Sequence, residues 1–207
     1  MEERNALLVT DIQNDFCPGG ALPVQEGDKI IPTINKLMDK FYKIIGTQDW
    51  HPENHMSFAK NHPGKNEYDI IDIDGESQVL WPMHCVWGTK GADFHPEIIT
   101  KKFDIIIRKG NNPKIDSYSA FRENDKKTIT GLEGYLKNLG IEQVFLCGLA
   151  LDYCVFYSAI DSKEIGFETY VILDATRGID SPTGSIEKAL DSMQDNGIKI
   201  IESKDVF

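Results

Sequence analysis

Three residues that together could run thiol chemistry fall at the ends of apolar runs in this 207-residue chain: Asp11 after Leu7-Leu8-Val9-Thr10, Lys109 after Ile105-Ile106-Ile107-Arg108, and Cys154 shortly after Cys147-Gly148. A cysteine becomes a nucleophile when a base can take its proton and a positive environment steadies the thiolate. Each residue also has an ordinary alternative. A carboxylate just past a strand is commonly a turn or cap residue, Lys109 could be a solvated loop end, and Cys154 could be core packing. Acid, amine and thiol brought to one rim favour nucleophilic catalysis, with Cys154 as the candidate among four cysteines. A second group is Asp49-Trp50-His51-Pro52-Glu53-Asn54-His55, followed by Trp81-Pro82-Met83-His84-Cys85. Two imidazoles and a carboxylate suit zinc, iron or manganese and leave coordination positions for water or substrate. Asp49, His51 and His84 are the expected ligands; His62 and His95 are expected to be ordinary hydrogen-bonded histidines.

The elements that must position these groups can be read from periodicity. Ala6 to Ile12, Tyr42 to Thr47, Phe103 to Arg108, Val144 to Gly148, Glu168 to Asp174 and Ile198 to Ile201 are short runs of the kind buried in a parallel sheet. Helical spacing lies between them: Ile30, Ile34, Leu37, Met38 and Phe41; Leu132, Leu136 and Leu139; Val155, Ala159 and Ile160; Ile186, Ala189, Leu190 and Met193. Alternating strands and helices predict a three-layer α/β/α sandwich on a six-stranded, mostly parallel sheet. Ligands bind at the carboxyl ends of such strands, where Asp11, Asp49, Lys109 and Cys147-Gly148 fall. Cys154 is expected in the first turn of the next helix, at the positive end of its dipole. Residues 1–207 are expected to form one domain. The stretch from about 49 to 95 keeps neither period and holds all five histidines and all three tryptophans, marking it as a long functional loop.

Composition narrows the function. Twenty-two Lys and Arg against 33 Asp and Glu give a formal charge of -11, which repels nucleic acid. No apolar run approaches the ~18 residues of a membrane span, and the short lead before the first strand leaves no room for a signal peptide, so a cytoplasmic protein is expected. The cysteines lack C-x-x-C spacing and suit reduced thiols better than disulfides.

Asp11-Ile-Gln13-Asn-Asp15-Phe16-Cys-Pro-Gly-Gly, Gln48-Asp49-Trp-His51-Pro-Glu-Asn-His55, Leu80-Trp81-Pro-Met-His84-Cys-Val, Lys109-Gly, Asp116-Ser-Tyr118-Ser-Ala-Phe and Cys147-Gly-Leu-Ala150-Leu-Asp-Tyr-Cys154-Val resemble the nicotinamidase/pyrazinamidase group of the isochorismatase-like cysteine hydrolases. The similarity is collinear from the first strand past Asp174. It implies a catalytic triad of Asp11, Lys109 and Cys154, metal ligands Asp49, His51 and His84, and an oxyanion hole from the backbone N–H groups of Ala150 and Cys154. His55 matches a histidine that ligates the metal in some members only. Phe16, Trp81 and Tyr118 fall where the family lines its aromatic substrate slot, although plain packing would use them equally well. Leu151 stands where many members carry Thr, which bears on the shape of the slot. Thr10 replaces a common Val within the strand and should be tolerated.

The resemblance implies hydrolysis of nicotinamide to nicotinate and ammonia through a cysteine thioester, in NAD salvage, with pyrazinamide as a further substrate. The implied cofactor is one divalent metal ion, zinc by expectation, with iron or manganese as alternatives, and a homo-oligomer is left open. Two rivals are another amide or ureido hydrolase sharing the triad, and a non-catalytic metal-binding or thiol redox protein.

Overall fold

The computed structural model describes residues 4–73 and 75–207; Met1 to Glu3, the lead judged too short for a signal peptide, lie outside the described residues. In chain order the elements are β1 (Asn5–Thr10), α1 (Ile31–Leu37), β2 (Lys43–Asp49), β3 (Ile70–Ile73), β4 (Glu76–Val79), β5 (Ile105–Lys109), α2 (Leu132–Asn138), β6 (Gln143–Leu149), α3 (Phe156–Ile165), β7 (Glu168–Arg177), α4 (Ser185–Asp195) and β8 (Lys199–Ile201). Six strands form one sheet in the order β5-β2-β1-β6-β7-β8, and each neighbouring pair is parallel. The expected six-stranded α/β sandwich is therefore present, and its sheet is wholly parallel.

Side chains alternate across a strand, so β1 feeds two cores. Leu7 and Val9 pack with Ile31, Ile34 and Leu37 of α1 on one face. Ala6 and Leu8 pack with Leu132 and Leu136 of α2, Ala159 of α3, and Ala189 and Met193 of α4 on the other. Pro32 opens α1, where its missing N–H costs nothing. Each fully buried Leu or Val contributes about 1.5–3 kcal/mol, so a polar change at Leu7, Leu8 or Val9 would be costly.

The strand order reverses between β1 and β6, and the crevice at such a switch is where open α/β sheets bind ligands. Gly148 permits the close pairing there, because a Cβ at its φ of 110° would meet the Thr10 carbonyl oxygen at 2.1 Å. β1 stops at Thr10 rather than reaching Ile12, since Asp11 turns into the left-handed region at φ 48°. β7 runs past Asp174 to Arg177 after a register shift against β6. The region 49–95 contains an antiparallel hairpin, β3 with β4, that periodicity misses. Its strands have four residues each and β3 has no buried face, so the pattern is too short to register. No described helix is long and apolar enough to cross a membrane.

Candidate active site

Three of the strand ends singled out in the sequence, Asp11, Asp49 and Lys109, deliver their side chains to one point together with Cys154, whereas Cys147 packs against the Leu8 carbonyl within the sheet. Lys109, at the end of β5, is fully buried and its ammonium lies 3.0 Å from Asp11 Oδ2, 3.3 Å from Cys154 Sγ and 3.1 Å from the Ser117 carbonyl oxygen. It also donates a short hydrogen bond to Asp49 Oδ1. Thr47, from β2, donates its hydroxyl to Asp11 Oδ1 at 2.6 Å. Asp11 Oδ2, which faces the Lys109 ammonium but takes no hydrogen bond from Thr47, is the carboxylate oxygen left to receive a proton.

Cys154 departs from the expected position. It lies not in the first turn of α3 but in a wide turn, Leu151–Val155, that precedes it, in which the Val155 N–H reaches back to the Ala150 carbonyl at 3.1 Å. Such i→i+5 turns recur at functional sites, where they displace a side chain from the helical line. Ala150 is extended, at φ -93° and ψ 144°, and its peptide bond to Leu149 is cis.

Burial dominates the ionisation of these groups. It pushes the Cys154 thiol well above its usual range despite the adjacent Lys109, and Asp11 and Asp49 add to that shift. It likewise raises the Asp11 carboxyl, against the opposing pull of Lys109. For Lys109 the order reverses: burial disfavours the ammonium, but Asp11 and Asp49 together hold its pKa well above normal. Burial also raises Cys17, to about 11, and Cys85 and Cys147. What distinguishes Cys154 is therefore its contact with the ammonium and not its pKa.

The metal candidates form an adjoining cluster. Asp49 Oδ2 lies 3.6 Å from His51 Nε2 and 3.7 Å from His84 Nε2. His51 Nδ1 sits 2.9 Å from the Gly110 carbonyl oxygen and His84 Nδ1 2.7 Å from that of Pro82. A carbonyl only accepts, so each Nδ1 carries hydrogen and each neutral ring keeps its lone pair on Nε2, facing Asp49. That is how metal-ligating histidines are oriented, and the three side chains fit a divalent cation. Burial disfavours the His51 imidazolium, but Asp49 outweighs it and raises the pKa. His55 differs: Nε2 donates to the Ile115 carbonyl at 3.1 Å and Nδ1 accepts from Ser57 Oγ at 2.7 Å, leaving no free lone pair. Burial and the neighbouring His51 lower its pKa to about 4. His62 bonds the Met56 carbonyl and His95 stands apart, as ordinary polar histidines.

Gln13 aligns the metal candidate Asp49 by its backbone, accepting from Asp49 N–H and donating to Asp49 C=O, both at 2.8 Å. Phe16, Trp81 and Tyr118 line a chamber of about 20 Å³ together with Cys154, Asp49, His51 and His84. Tyr153, Leu22, Asp116 and Ile179 also line it, and the sequence argument assigns them no role. Tyr153 could have been found from its place beside Cys154. Ile179 carries no local signal, because only the fold brings the segment after β7 to the chamber. Trp81 Nε1–H donates to the Tyr118 hydroxyl at 3.2 Å, and the Tyr153 ring meets Trp81 edge-on at 4.8 Å.

Residues 5–205 match the isochorismatase domain family. A nicotinamidase from Acinetobacter baylyi is 49% identical over 202 residues, covering 98% of this chain and 94% of its own length. The structure of an Acinetobacter baumanii nicotinamidase/pyrazinamidase superposes with a TM-score of 0.98 at 51% identity, covering 100% of both chains. A Pyrococcus horikoshii pyrazinamidase structure in complex with zinc superposes at 0.79 with 40% identity, covering 96% of this chain and 99% of its own.

Proposed function

Because this chain belongs to the isochorismatase domain family, we propose that it is a nicotinamidase, hydrolysing nicotinamide to nicotinate and ammonia in NAD salvage. The observation that carries this reading is the Lys109 ammonium, held within 3.3 Å of both Asp11 Oδ2 and Cys154 Sγ beside the Asp49-His51-His84 cluster. Cys154 is the nucleophile and Asp11 its general base. The protonated thiol transfers its hydrogen to the open Asp11 oxygen as sulfur attacks the carboxamide carbon. Lys109 remains charged throughout and offsets the negative charge that builds among Asp11, Asp49 and the sulfur. Backbone N–H groups of Ala150 and Cys154 receive the oxyanion. Asp11 returns the proton to the departing ammonia, leaving a thioester, and then draws a proton from the water that attacks the thioester carbon, passing it to the departing Cys154 sulfur as nicotinate is released. The raised Asp11 pKa suits a group that must alternately hold and give up a proton.

Asp49, His51 and His84 hold a divalent metal, zinc in this proposal. When bound, it supplies an electrophilic partner for the ring nitrogen of the substrate. Phe16, Trp81, Tyr118 and Tyr153 provide the aromatic walls that grip the ring. The four free thiols suit a reducing cytoplasm.

The test is ammonia release from a panel of nicotinamide, pyrazinamide, a carbamoyl amine and a ureido acid, with and without chelator. Release from nicotinamide that falls on metal removal supports the assignment. Preference for the ureido or carbamoyl compound would make the protein another amide hydrolase, and release from none would leave a metal or thiol-binding role.

A further inference from the structure

A buried carboxylate that the mechanism does not use ties the turn bearing Cys154 to the segment between β7 and α4. Asp152 lies two residues before the nucleophile. Its oxygens accept from the Ile179 N–H at 2.9 Å, the Asp180 N–H at 2.9 Å and the Ser185 hydroxyl at 2.5 Å. The adjacent Tyr153 donates its hydroxyl to the Ser181 carbonyl. Two consecutive residues on the nucleophile's turn thus hold three consecutive positions of chain, 179–181, at one end and Ser185 at the start of α4 at the other. Hydrogen bonds to an ionised acceptor are roughly twice as strong as neutral ones, and burial shields these from water.

The fastened segment matters because Ile179 is a wall of the chamber that also exposes Cys154. The chamber is narrow, about 20 Å³, so how firmly the Ile179 wall is held bears directly on how readily a molecule reaches the thiol. Phe16, Trp81, Leu22 and Tyr153 are buried side chains packed in the molecule's interior. Ile179 is only partly buried and belongs to neither a strand nor a helix. Its backbone N–H is one of the three donors to Asp152.

We infer that Asp152 is a positioning residue, a latch that holds the segment 179–185 closed against the turn bearing Cys154 and so sets access to the thiol. The inference rests on Cys154 being the reactive thiol of the proposed nicotinamidase. Asp152 touches neither substrate nor sulfur and acts through Ile179.

Two variants test it: Asp152→Asn, which replaces one acceptor oxygen by an NH2 group facing the same donors, and Ser185→Ala, which removes one partner and leaves both backbone bonds. Each is compared with the parent for the rate at which iodoacetamide modifies Cys154, followed by peptide mass spectrometry well below the melting temperature. Steady-state kcat and KM for nicotinamide are measured on the same samples. Loss of a charge-assisted bond predicts alkylation about 10- to 100-fold faster in Asp152→Asn, and a smaller rise, about 3- to 10-fold, in Ser185→Ala. KM should rise by a larger factor than kcat falls, because the loosened wall grips ground state and transition state alike. A merely structural carboxylate would lower the melting temperature and leave alkylation and KM unchanged, and that result in both variants overturns the latch. Should Asp152→Asn fail to fold, Ser185→Ala alone decides by the same two readouts. A parent that releases no ammonia from nicotinamide refutes the assigned activity, whereas the alkylation comparison still decides the latch.

Discussion

Replacing Gly110 by alanine should disrupt the proposed metal site of Asp49, His51 and His84 while leaving the sheet intact. Gly110 follows β5 at φ +70°, and a Cβ there would lie 2.3 Å from His51 Cε1 and 2.6 Å from Nδ1. Carbon atoms rest about 3.5 Å apart or more, so the imidazole must retreat by about 1 Å. It has nowhere to go: the rings of His55, His84 and Phe58 stand 4.2, 5.2 and 5.5 Å away, and His51 is buried. Metal-to-nitrogen distances tolerate only about 0.2 Å. The left-handed backbone adds about 1–2 kcal/mol of strain for a residue with a Cβ, and the bond from His51 Nδ1 to the Gly110 carbonyl, worth about 1 kcal/mol, is put at risk. Loss of an outer partner alone weakens metal binding about 10- to 100-fold, and here the ligand itself is displaced. Gly64→Ala is the control, since Gly64 has φ +80° and nothing within 4 Å of its Cβ, and so carries the strain without the clash. Elemental analysis after dialysis against graded chelator, with thermal unfolding alongside, separates the two. A Gly110→Ala protein with stoichiometric metal and the parent's affinity would refute the steric argument.

Cys154→Ala should bring turnover below about a thousandth of the parent without lowering the melting temperature, and Cys17→Ala should keep most of it; the reverse pattern would move the nucleophile. Asp11→Asn should stop ammonia release while iodoacetamide still modifies Cys154, because alkylation needs only a thiolate; near-native turnover would remove Asp11 from the triad. Lys109→Ala should keep the metal and lose the rate, whereas His51→Ala with His84→Ala should lose the metal by elemental analysis. Burial and then the nearby Asp125 and Asp116 raise the Glu123 carboxyl from 4.5 to about 7, so the folded state holds a proton that the unfolded chain releases and stability declines as pH rises across that window. Glu123→Gln should therefore stabilise the fold near pH 8 by on the order of 1–3 kcal/mol, read as a higher melting temperature, and change little near pH 4.5; an equal shift at both pH values would exclude titration as the cause.

Legibility in the sequence followed pattern length. The six strands of the sheet announced themselves because parallel strands covered on both faces are continuous apolar runs, and their carboxyl ends carried Asp11, Asp49 and Lys109 to one rim by topology alone. The hairpin Ile70–Ile73 with Glu76–Val79 escaped because four half-exposed residues carry no usable period; its one local signal is the Asp74-Gly75 pair. The wide turn around Cys154 escaped for a different reason, since its sequence reads as ordinary helix and the difference lies in the backbone bonds from Val155 to Ala150 and from Phe156 to Leu151. The walls supplied by Leu22 and Ile179 depend on contacts between distant segments that no local rule anticipates.

The same distinction explains why two similar carboxylates earn different roles. Asp11 and Asp49 both touch the single ammonium of Lys109 and both are buried. Burial works against the charge of each. The outcome turns on the remaining contacts: Asp49 also faces two imidazoles and is held well below the usual carboxylate range, whereas Asp11 has Lys109 and one hydroxyl, and its carboxyl is raised. Neighbouring acids whose environments push them apart can divide acid–base and electrostatic work. On this arrangement Asp49 stays ionised, anchoring the ammonium through one oxygen and facing the histidines with the other. Asp11, with an unfilled oxygen beside the thiol, is the one able to take up a proton. The spacing of the two aspartates in the chain says nothing of this; the difference lies in His51 and His84, which the sheet and the long loop bring to Asp49, and in the negative charge of Asp49, which itself raises Asp11.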